Sequence, residues 1–226
     1  MSKLNTPNKI TTIRLGMCVL MILVFSLSYI PGALDSWASN FVIAGFSIGF
    51  NWIDLTCFVI FILGSITDAI DGHIARSRNL VTDFGKFLDP LADKALTDAA
   101  FILLSTRTDW YGHYQVLPFL VIFFILRDLA MDGLRIFANA KQRVLAANIY
   151  GKVKTAFEMI LIPILFLNGF PFSLLNVTGG LDAWMSQRWS GTYIVTNCLT
   201  GLCLFFSLLS AVIYFKNNKD LFAGRK

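Results

Sequence analysis

The sequence of 226 residues is poor in the side chains that bind transition metals or form covalent cross-links. It has only two histidines, and none of its four cysteines forms a Cys-x-x-Cys pair: Cys18, Cys57, Cys198 and Cys203. Without clustered cysteine and histidine, the sequence predicts neither a structural zinc site nor a disulfide framework. We interpret the cysteines as small residues buried within apolar segments.

Charge is also scarce, because charged residues make up 15% of the chain and hydrophobic residues 56%. The mean hydropathy of +0.65 argues against an ordinary soluble domain. About 20 apolar residues suffice for one helical crossing of a bilayer. We therefore predict an all-α integral membrane protein, a single domain over residues 1–226. Its six transmembrane helices are expected near residues 12–30, 52–75, 86–105, 116–138, 151–168 and 191–215.

The basic residues are distributed unevenly around these six segments. Six spans place both termini on one side, and of the 19 Lys and Arg residues only Arg107 and Arg188 fall on the other. The positive-inside rule makes the basic side cytoplasmic. All five tryptophans fall at or beyond the opposite interface, as in an aromatic belt. The net charge of +5 is thus explained by the excess of basic residues on the cytoplasmic side, and no nucleic-acid partner is expected. The expected location is the cytoplasmic (inner) membrane.

One polar stretch, residues 67–94, interrupts the apolar pattern where the second and third predicted spans meet. On the second span, four residues share one helical face: Asp68, Asp71, Gly72 and Ala75. On the third span, three residues do so at intervals of four: Gly85, Asp89 and Asp93. Because the turn between the spans is short, we expect antiparallel neighbours whose four carboxylates converge at the cytoplasmic end.

Four clustered carboxylates need positive charge, since one acidic residue inside a bilayer costs about 2.5–3.5 kcal/mol. Side-chain cations are one source, and the two helices offer Arg76, Lys86 and Lys94. Divalent metal is the favoured source, because carboxylate oxygens without cysteine or histidine suit Mg²⁺, Mn²⁺ or Ca²⁺. Four aspartates are enough for two such ions. The small residues on the same faces leave room for a ligand, or else serve close helix packing.

The complete pattern Asp68-x2-Asp71-Gly72-x2-Ala75-Arg76-x8-Gly85-x3-Asp89-x3-Asp93 resembles the signature of the CDP-alcohol phosphotransferases. The resemblance implies six transmembrane helices, a homodimer and an active site facing the cytoplasm. It also implies transfer of a phosphatidyl or similar group from a CDP-linked donor to an alcohol, with release of CMP. Two Mg²⁺ or Mn²⁺ ions are the implied cofactors.

The same resemblance implies a role for each matching residue. The implied metal ligands are the four aspartates, Asp68, Asp71, Asp89 and Asp93. Asp93 is also the implied catalytic base, since a carboxylate within hydrogen-bond reach of the alcohol can take its proton. The implied contacts to the CDP-linked donor come from the remaining signature residues, Gly72, Ala75, Arg76 and Gly85.

Basic residues outside the polar stretch indicate which alcohol is used. Arg127 lies within a predicted span, where an unpaired guanidinium is costly; the alternative explanation is an ion pair with Asp128 or Asp132. Three further basic residues are expected near the cytoplasmic end: Arg135, Lys152 and Lys154. Cations beside an acidic metal site suit a phosphorylated alcohol, so these four residues are predicted to bind the acceptor's phosphate.

Longer segments resemble one bacterial branch of the family, in which the 1-hydroxyl of glycerol 3-phosphate attacks the β-phosphorus of CDP-diacylglycerol. They are PNKITTIR (7–14), LVTDFGKFLDPLADK (80–94), the Arg-acidic-x6-Arg element (127–135) and GKVKT (151–155). The products are phosphatidylglycerophosphate and CMP, and the donor's acyl chains are expected to stay among the membrane lipids. In this branch we expect glutamate rather than Asp128 after Arg127.

The first of these segments suggests a headgroup-binding role for Asn8, Thr11 and Arg14. Helix capping and a side chain that anchors the helix at the membrane surface are the alternative roles. Because these residues look functional, the apolar run that follows them is interpreted as a retained span and not as a signal peptide.

Two other functions remain open on the sequence. A sibling enzyme would share the metal site and use inositol phosphate or serine. A cation transporter would use intramembrane aspartates to coordinate a permeating ion. Beyond the four aspartates, however, only Ser65, Thr97 and Asp98 offer polar groups before the two spans become apolar, which is little for an ion pathway.

Overall fold

The computed structural model describes residues 6–30, 40–43, 46–78, 83–107, 115–140, 148–172 and 191–218. Within these ranges, side chains are described except at residues 6–10, 40–43, 46–49, 68–78, 83–91, 93, 139–140 and 191–192. The side chains of the four aspartates therefore lie outside the described part, while the backbone of the helices that carry them lies within it.

Six α-helices make up most of the described residues. They are α1 (Thr6–Ser26), α2 (Trp52–Arg78), α3 (Asp83–Ser105), α4 (Pro118–Ala140), α5 (Ile149–Phe166) and α6 (Gly191–Asn217). Each helix overlaps one of the six apolar segments predicted from the sequence. A short 3-10 turn, Leu27–Tyr29, follows α1.

One short sheet departs from the all-α prediction, which is wrong for residues 40–43 and 46–51. Strands β1 (Asn40–Ile43) and β2 (Phe46–Asn51) pair antiparallel, with Val42 opposite Ser47. The segment is rich in phenylalanine, isoleucine and valine and also contains glycine, a composition that suits strands better than helices. The two strands lie in the connection from α1 to α2.

Capping hydrogen bonds explain where two helices begin, and a proline explains the start of a third. At α2, the backbone N–H of Asp54 donates to the Asn51 side chain at 2.9 Å, and that of Asn51 donates to the Asp54 carboxylate at 3.2 Å. This reciprocal capping satisfies N–H groups that a helix start leaves unpaired. Pro118 opens α4, where its missing N–H is tolerated. Asn148 caps α5 by accepting from the backbone N–H of Tyr150 at 3.3 Å.

The helices enclose a core rich in phenylalanine. Helix α1 packs against α2 and α3, and α5 packs against α2, α3 and α6. Large fully buried side chains include five phenylalanines: Phe25, Phe61, Phe101, Phe124 and Phe166. Gly64 lets α2 approach α3, since a Cβ there would lie 2.6 Å from Leu96 Cδ2. The two helices that carry the aspartates are thus in close contact.

The outer surface is apolar as well. On α4, for example, the exposed side chains are largely hydrophobic: Phe119, Ile122, Leu126, Leu129 and Ile136. In the part of the chain that is described, two helices are long and apolar enough to cross a membrane, Thr11–Tyr29 with 19 residues and Tyr193–Asn217 with 25. At about 1.5 Å per residue they reach about 28 and 37 Å, against a hydrocarbon core of about 30 Å. These features are those of a membrane protein.

A charged cluster joins the end of α1, the start of α2 and the end of α3. Arg107 forms an ion pair with the buried carboxylate of Asp54 and lies 4.5 Å over the ring of Phe25. Next to it, the hydroxyl groups of Tyr29 and Thr106 share a hydrogen bond. Burial lowers the pKa of the Arg107 guanidinium to about 10, against the opposing effect of Tyr29. Arg107 is therefore still charged at neutral pH, and the cluster holds three helices together.

Candidate functional site

Helices α2 and α3 carry the four predicted metal ligands. Asp68 and Asp71 are helical residues of α2, while Asp89 and Asp93 belong to α3. The side chains of these aspartates lie outside the described part. So do the contacts to the donor that are predicted for the other signature residues: Gly72, Ala75, Arg76 and Gly85. The metal and donor assignments therefore stay predictions. Among the side chains that are described, no three His, Cys, Asp or Glu residues form a metal-binding group.

Helical register nevertheless relates the aspartates to described side chains. Asp68 lies three residues after Ser65, and Asp93 lies four residues before Thr97, so each pair shares a helical face. The Ser65 hydroxyl lies 3.7 Å from the sulfur of Met159 on α5. Met159 and Thr97 both line one cavity. The α3 face that carries Asp93 therefore continues into the cavity wall at Thr97, whereas α2 reaches that wall through the contact of Ser65 with Met159.

The cavity has a volume of roughly 240 Å³ and lies among α3, α4, α5 and α6. Its lining includes four basic residues: Lys94, Arg127, Arg135 and Lys152. It also includes three acidic residues: Asp128, Asp132 and Glu158. Neutral polar groups complete much of the wall: Thr97, Asn148, Thr155, Ser210 and Tyr214. The size and the lining suit a small polar molecule that carries negative charge.

Arg127 is fixed from two sides at this cavity. Its Nη1 donates to Asp128 Oδ1 at 2.7 Å, and its Nη2 donates to Ser210 Oγ at 2.7 Å. The ion pair that the sequence left open as an alternative explanation for Arg127 is thus confirmed, with Asp128 as the partner. The same side chain still lines the cavity, so the pair orients the guanidinium there.

Lys154 has a different environment from the other predicted acceptor residues. Its side chain is 2% exposed, and its Nζ lies 2.9 Å from Asp128 Oδ2 and 2.7 Å from Glu158 Oε1. The Phe124 ring lies 5.5 Å from the same ammonium group. Lys154 is not among the residues that line the cavity. Its contacts support the carboxylates around Arg127, and the predicted phosphate contact of Lys154 stays a prediction without support from this geometry.

The remaining basic residues of the cavity are more open. Lys94 pairs with Asp132, and its Nζ also donates to the backbone carbonyl of Asp128 at 3.2 Å. Arg135 lies 3.6 Å from Asp132 and is exposed, while exposed Lys152 has no ion-pair partner among the described residues. Lys94, one of the three side-chain cations considered for the aspartates, is thus bound to α4.

Three buried donors of the cavity have no hydrogen-bond partner among the described residues. They are Arg127 Nε, Asn148 Nδ2 and Tyr214 Oη. The orientation of the Asn148 amide follows from its cap, since its oxygen accepts from the Tyr150 N–H. Leaving a buried donor unpaired costs about 1–3 kcal/mol, so native proteins seldom do so. Three such donors around one cavity indicate a ligand rich in acceptor oxygens.

The structure thus brings together Arg127, Arg135 and Lys152 of the predicted acceptor residues. Thr11 and Arg14 are buried on α1 and are not among the residues that line the cavity, and the side chain of Asn8 lies outside the described part. The headgroup role of these three residues stays a prediction.

Several cavity residues were not predicted to bind the acceptor: Lys94, Asn148, Ser210 and Tyr214. A signal for the last two exists in α6, whose buried face repeats polar or small residues at intervals of three and four: Thr196, Thr200, Cys203, Ser207, Ser210 and Tyr214. Hydroxyl groups at such spacing in an otherwise apolar helix mark a face turned toward other helices.

Comparisons with known proteins agree with the resemblance seen in the sequence. The sequence model of a family described as CDP-alcohol phosphatidyltransferase matches residues 4–199. A Bacillus subtilis protein named CDP-diacylglycerol–glycerol-3-phosphate 3-phosphatidyltransferase is 33% identical over 216 residues, which covers 95% of each chain. A relative with the same name from Mycoplasma pneumoniae is 36% identical over 156 residues, which cover 69% of this chain and 65% of the relative. The Mycoplasma genitalium relative is 31% identical over 94% of this chain and 83% of its own.

Proposed function

The chain belongs to the CDP-alcohol phosphatidyltransferase family, and we propose that it transfers the phosphatidyl group of CDP-diacylglycerol to glycerol 3-phosphate. The products are phosphatidylglycerophosphate and CMP. The names of the similar proteins specify this donor and this acceptor. The observation that carries the proposal to this chain is the cavity, in which basic side chains and donors without a partner among the described residues adjoin α3, one of the two helices that carry the aspartates.

The acceptor's phosphate is assigned to the cavity. Arg127 presents a guanidinium fixed by Asp128, and guanidinium groups bind phosphate oxygens through paired hydrogen bonds. Arg135 and Lys152 add charge at the exposed rim. The first turn of α5 contributes the partial positive charge of a helix N-terminus close to Lys152. A neutral or cationic alcohol would bring no anion to these cations.

The four aspartates are assigned to two divalent ions, Mg²⁺ or Mn²⁺, because an all-carboxylate donor set without cysteine or histidine suits hard cations. Bound there, the ions would neutralise the charge of the CDP-linked donor and stabilise the departing CMP. The donor's nucleotide is assigned to the small residues and the arginine of the same faces: Gly72, Ala75, Arg76 and Gly85. Its acyl chains remain in the bilayer.

The reaction then requires one proton transfer and one displacement. The Asp93 carboxylate takes the proton of the glycerol 3-phosphate 1-hydroxyl. The freed oxygen forms a bond to the β-phosphorus of the donor, and the bond between that phosphorus and the bridging oxygen breaks, so CMP departs. Register supports this role, since Asp93 lies one helical turn from Thr97 in the cavity wall.

We also propose the finer topology that the sequence predicts, with six spans, both termini in the cytoplasm and the active site facing the cytoplasm from the inner membrane. The coincidence of the six helices with the six predicted segments supports it, as does the concentration of lysine and arginine on one side. A homodimer is proposed on the family resemblance alone.

An acceptor panel tests the function directly. Purified protein with CDP-diacylglycerol and Mg²⁺ is supplied with glycerol 3-phosphate, inositol phosphate or serine, and released CMP is measured. We expect release with glycerol 3-phosphate, its loss in EDTA and its recovery with Mg²⁺ or Mn²⁺. Preferential release with either of the other alcohols would assign the protein to a sibling activity, and release that is insensitive to EDTA would refute the metal assignment.

A further inference from the structure

The last turns of α6 contribute to the cavity although they lie beyond residue 199, where the family match ends. Ser210 and Tyr214 both line the cavity, and both are buried. They are four residues apart on one helix, so they lie on the same face. Contacts with α4 and α5 hold this face toward the site.

Tyr214 has an unused hydroxyl at the cavity. Its side chain is 3% exposed, and its Oη has no hydrogen-bond partner among the described residues. Two other unpaired donors, Arg127 Nε and Asn148 Nδ2, belong to the same cavity. Like the Asn148 amide and unlike the Arg127 guanidinium, a phenol is uncharged, so it can donate to a phosphate oxygen without adding charge.

Ser210 connects α6 to the predicted acceptor residues. Its hydroxyl accepts from Arg127 Nη2 at 2.7 Å. Gly151 on α5 lies beside this pair, because a Cβ at that position would lie 3.3 Å from Ser210 Oγ, a tight contact, and 3.9 Å from Arg127 Nη2, an ordinary one. Asp128 on one side and Ser210 on the other hold the Arg127 guanidinium, whose Nε has no hydrogen-bond partner in the described part of the chain.

We infer that α6 completes the acceptor site: Tyr214 contacts the acceptor's phosphate, and Ser210 is a positioning residue that orients Arg127. This inference rests on the proposed function, because it assigns the cavity to a phosphorylated alcohol. Ser210 and Tyr214, which lie beyond the segment that matches the family, are then determinants of the affinity for the acceptor.

The test compares Tyr214→Phe and Ser210→Ala with Ser207→Ala as a matched control. Ser207 lies on the same face of α6, is fully buried and is not among the residues that line the cavity. The KM for glycerol 3-phosphate is measured at saturating CDP-diacylglycerol, the KM for CDP-diacylglycerol at saturating glycerol 3-phosphate, and the affinity for inorganic phosphate by calorimetry.

Tyr214→Phe is expected to raise the glycerol 3-phosphate KM about tenfold, since hydrogen bonds to charged groups are stronger than neutral ones. The phosphate affinity should fall in parallel, while the KM for CDP-diacylglycerol and the unfolding temperature stay unchanged. Ser210→Ala should act in the same direction by roughly fivefold. Ser207→Ala should change none of these values.

Equal acceptor KM values for Tyr214→Phe and Ser207→Ala would overturn the inference, and so would equal losses of donor and acceptor affinity in Tyr214→Phe. A wild-type protein that does not use glycerol 3-phosphate would overturn the proposed function instead. In that case the calorimetric arm still decides on Tyr214, because phosphate binding requires no turnover.

Discussion

Two charged clusters of this protein are built from similar groups and behave differently. Asp54 and Arg107 form an ion pair, and the Arg107 guanidinium lies against the ring of Phe25. The second oxygen of the Asp54 carboxylate accepts from the Asn51 backbone N–H. Around Arg127, the ion pair with Asp128 opens onto a cavity and leaves Nε unpaired. Buried charge by itself therefore does not mark a functional site, whereas unused bonding capacity beside a cavity does.

The positions of the two clusters explain the difference. The Asp54–Arg107 pair ties together the ends of three helices, α1, α2 and α3, and its partners come from backbone and aromatic groups that are already in place. The second cluster takes side chains from four helices around a space that none of them fills. The first arrangement serves stability, and the second is suited to bind a ligand.

The largest effect is expected at the proposed base beside the cavity. Asp93→Asn keeps the shape of the side chain but removes its ability to take a proton, so the rate of CMP release should fall about 10²–10⁴-fold. The unfolding temperature should change little. Asp83→Asn at the start of α3 removes the same charge outside the proposed site and is expected to retain turnover. Normal turnover in Asp93→Asn would remove Asp93 from the role of base.

At the Asp54–Arg107 pair, a substitution is expected to lower stability and to leave acceptor binding unchanged. Asp54→Asn keeps an oxygen for the helix cap but leaves the half-buried Arg107 without its counter-charge, and breaking a buried pair costs up to about 3–5 kcal/mol. The unfolding midpoint in denaturant should therefore decrease, while the KM for glycerol 3-phosphate in the remaining folded protein is unchanged. A raised acceptor KM with normal stability would contradict the separation of the two clusters.

A smaller effect is expected at the exposed rim of the cavity. Lys152→Ala removes a cation that has no ion-pair partner among the described residues, so stability should be preserved. The KM for glycerol 3-phosphate should rise up to about tenfold, since hydrogen bonds to charged groups contribute about 1.5–3 kcal/mol and solvent weakens an exposed one. Lys216→Ala, an exposed charge at the end of α6, is the control. Equal effects of the two variants would reduce the role of Lys152 to general attraction.

Much of the fold could be predicted because its signals are local. Apolar length defined the six helical segments, and the spacing of Asp68 and Asp71 on one helix and of Asp89 and Asp93 on the next identified the family, which the comparisons confirmed. The two paired strands at residues 40–43 and 46–51 were missed because short apolar segments rich in β-branched and aromatic residues have no helical length to reveal them.

The acceptor cavity was predicted only in part. Arg127, Arg135 and Lys152 were found because a cation in an apolar segment is conspicuous in a sequence. Lys154 was grouped with them on charge, yet it does not line the cavity, and its described contacts are with two carboxylates that do, Asp128 and Glu158. Tyr214 carries no charge, so the sequence offered only the spacing of polar residues along α6.

The sequence by itself determined which segments are helical, which family the chain belongs to and where the acidic motif lies, because hydropathy and residue spacing are properties of a single segment. The tertiary structure alone decided which cations face the cavity and which are neutralised behind it. That outcome depends on partners from four different helices, and no periodicity within one helix specifies what the next helix brings against it.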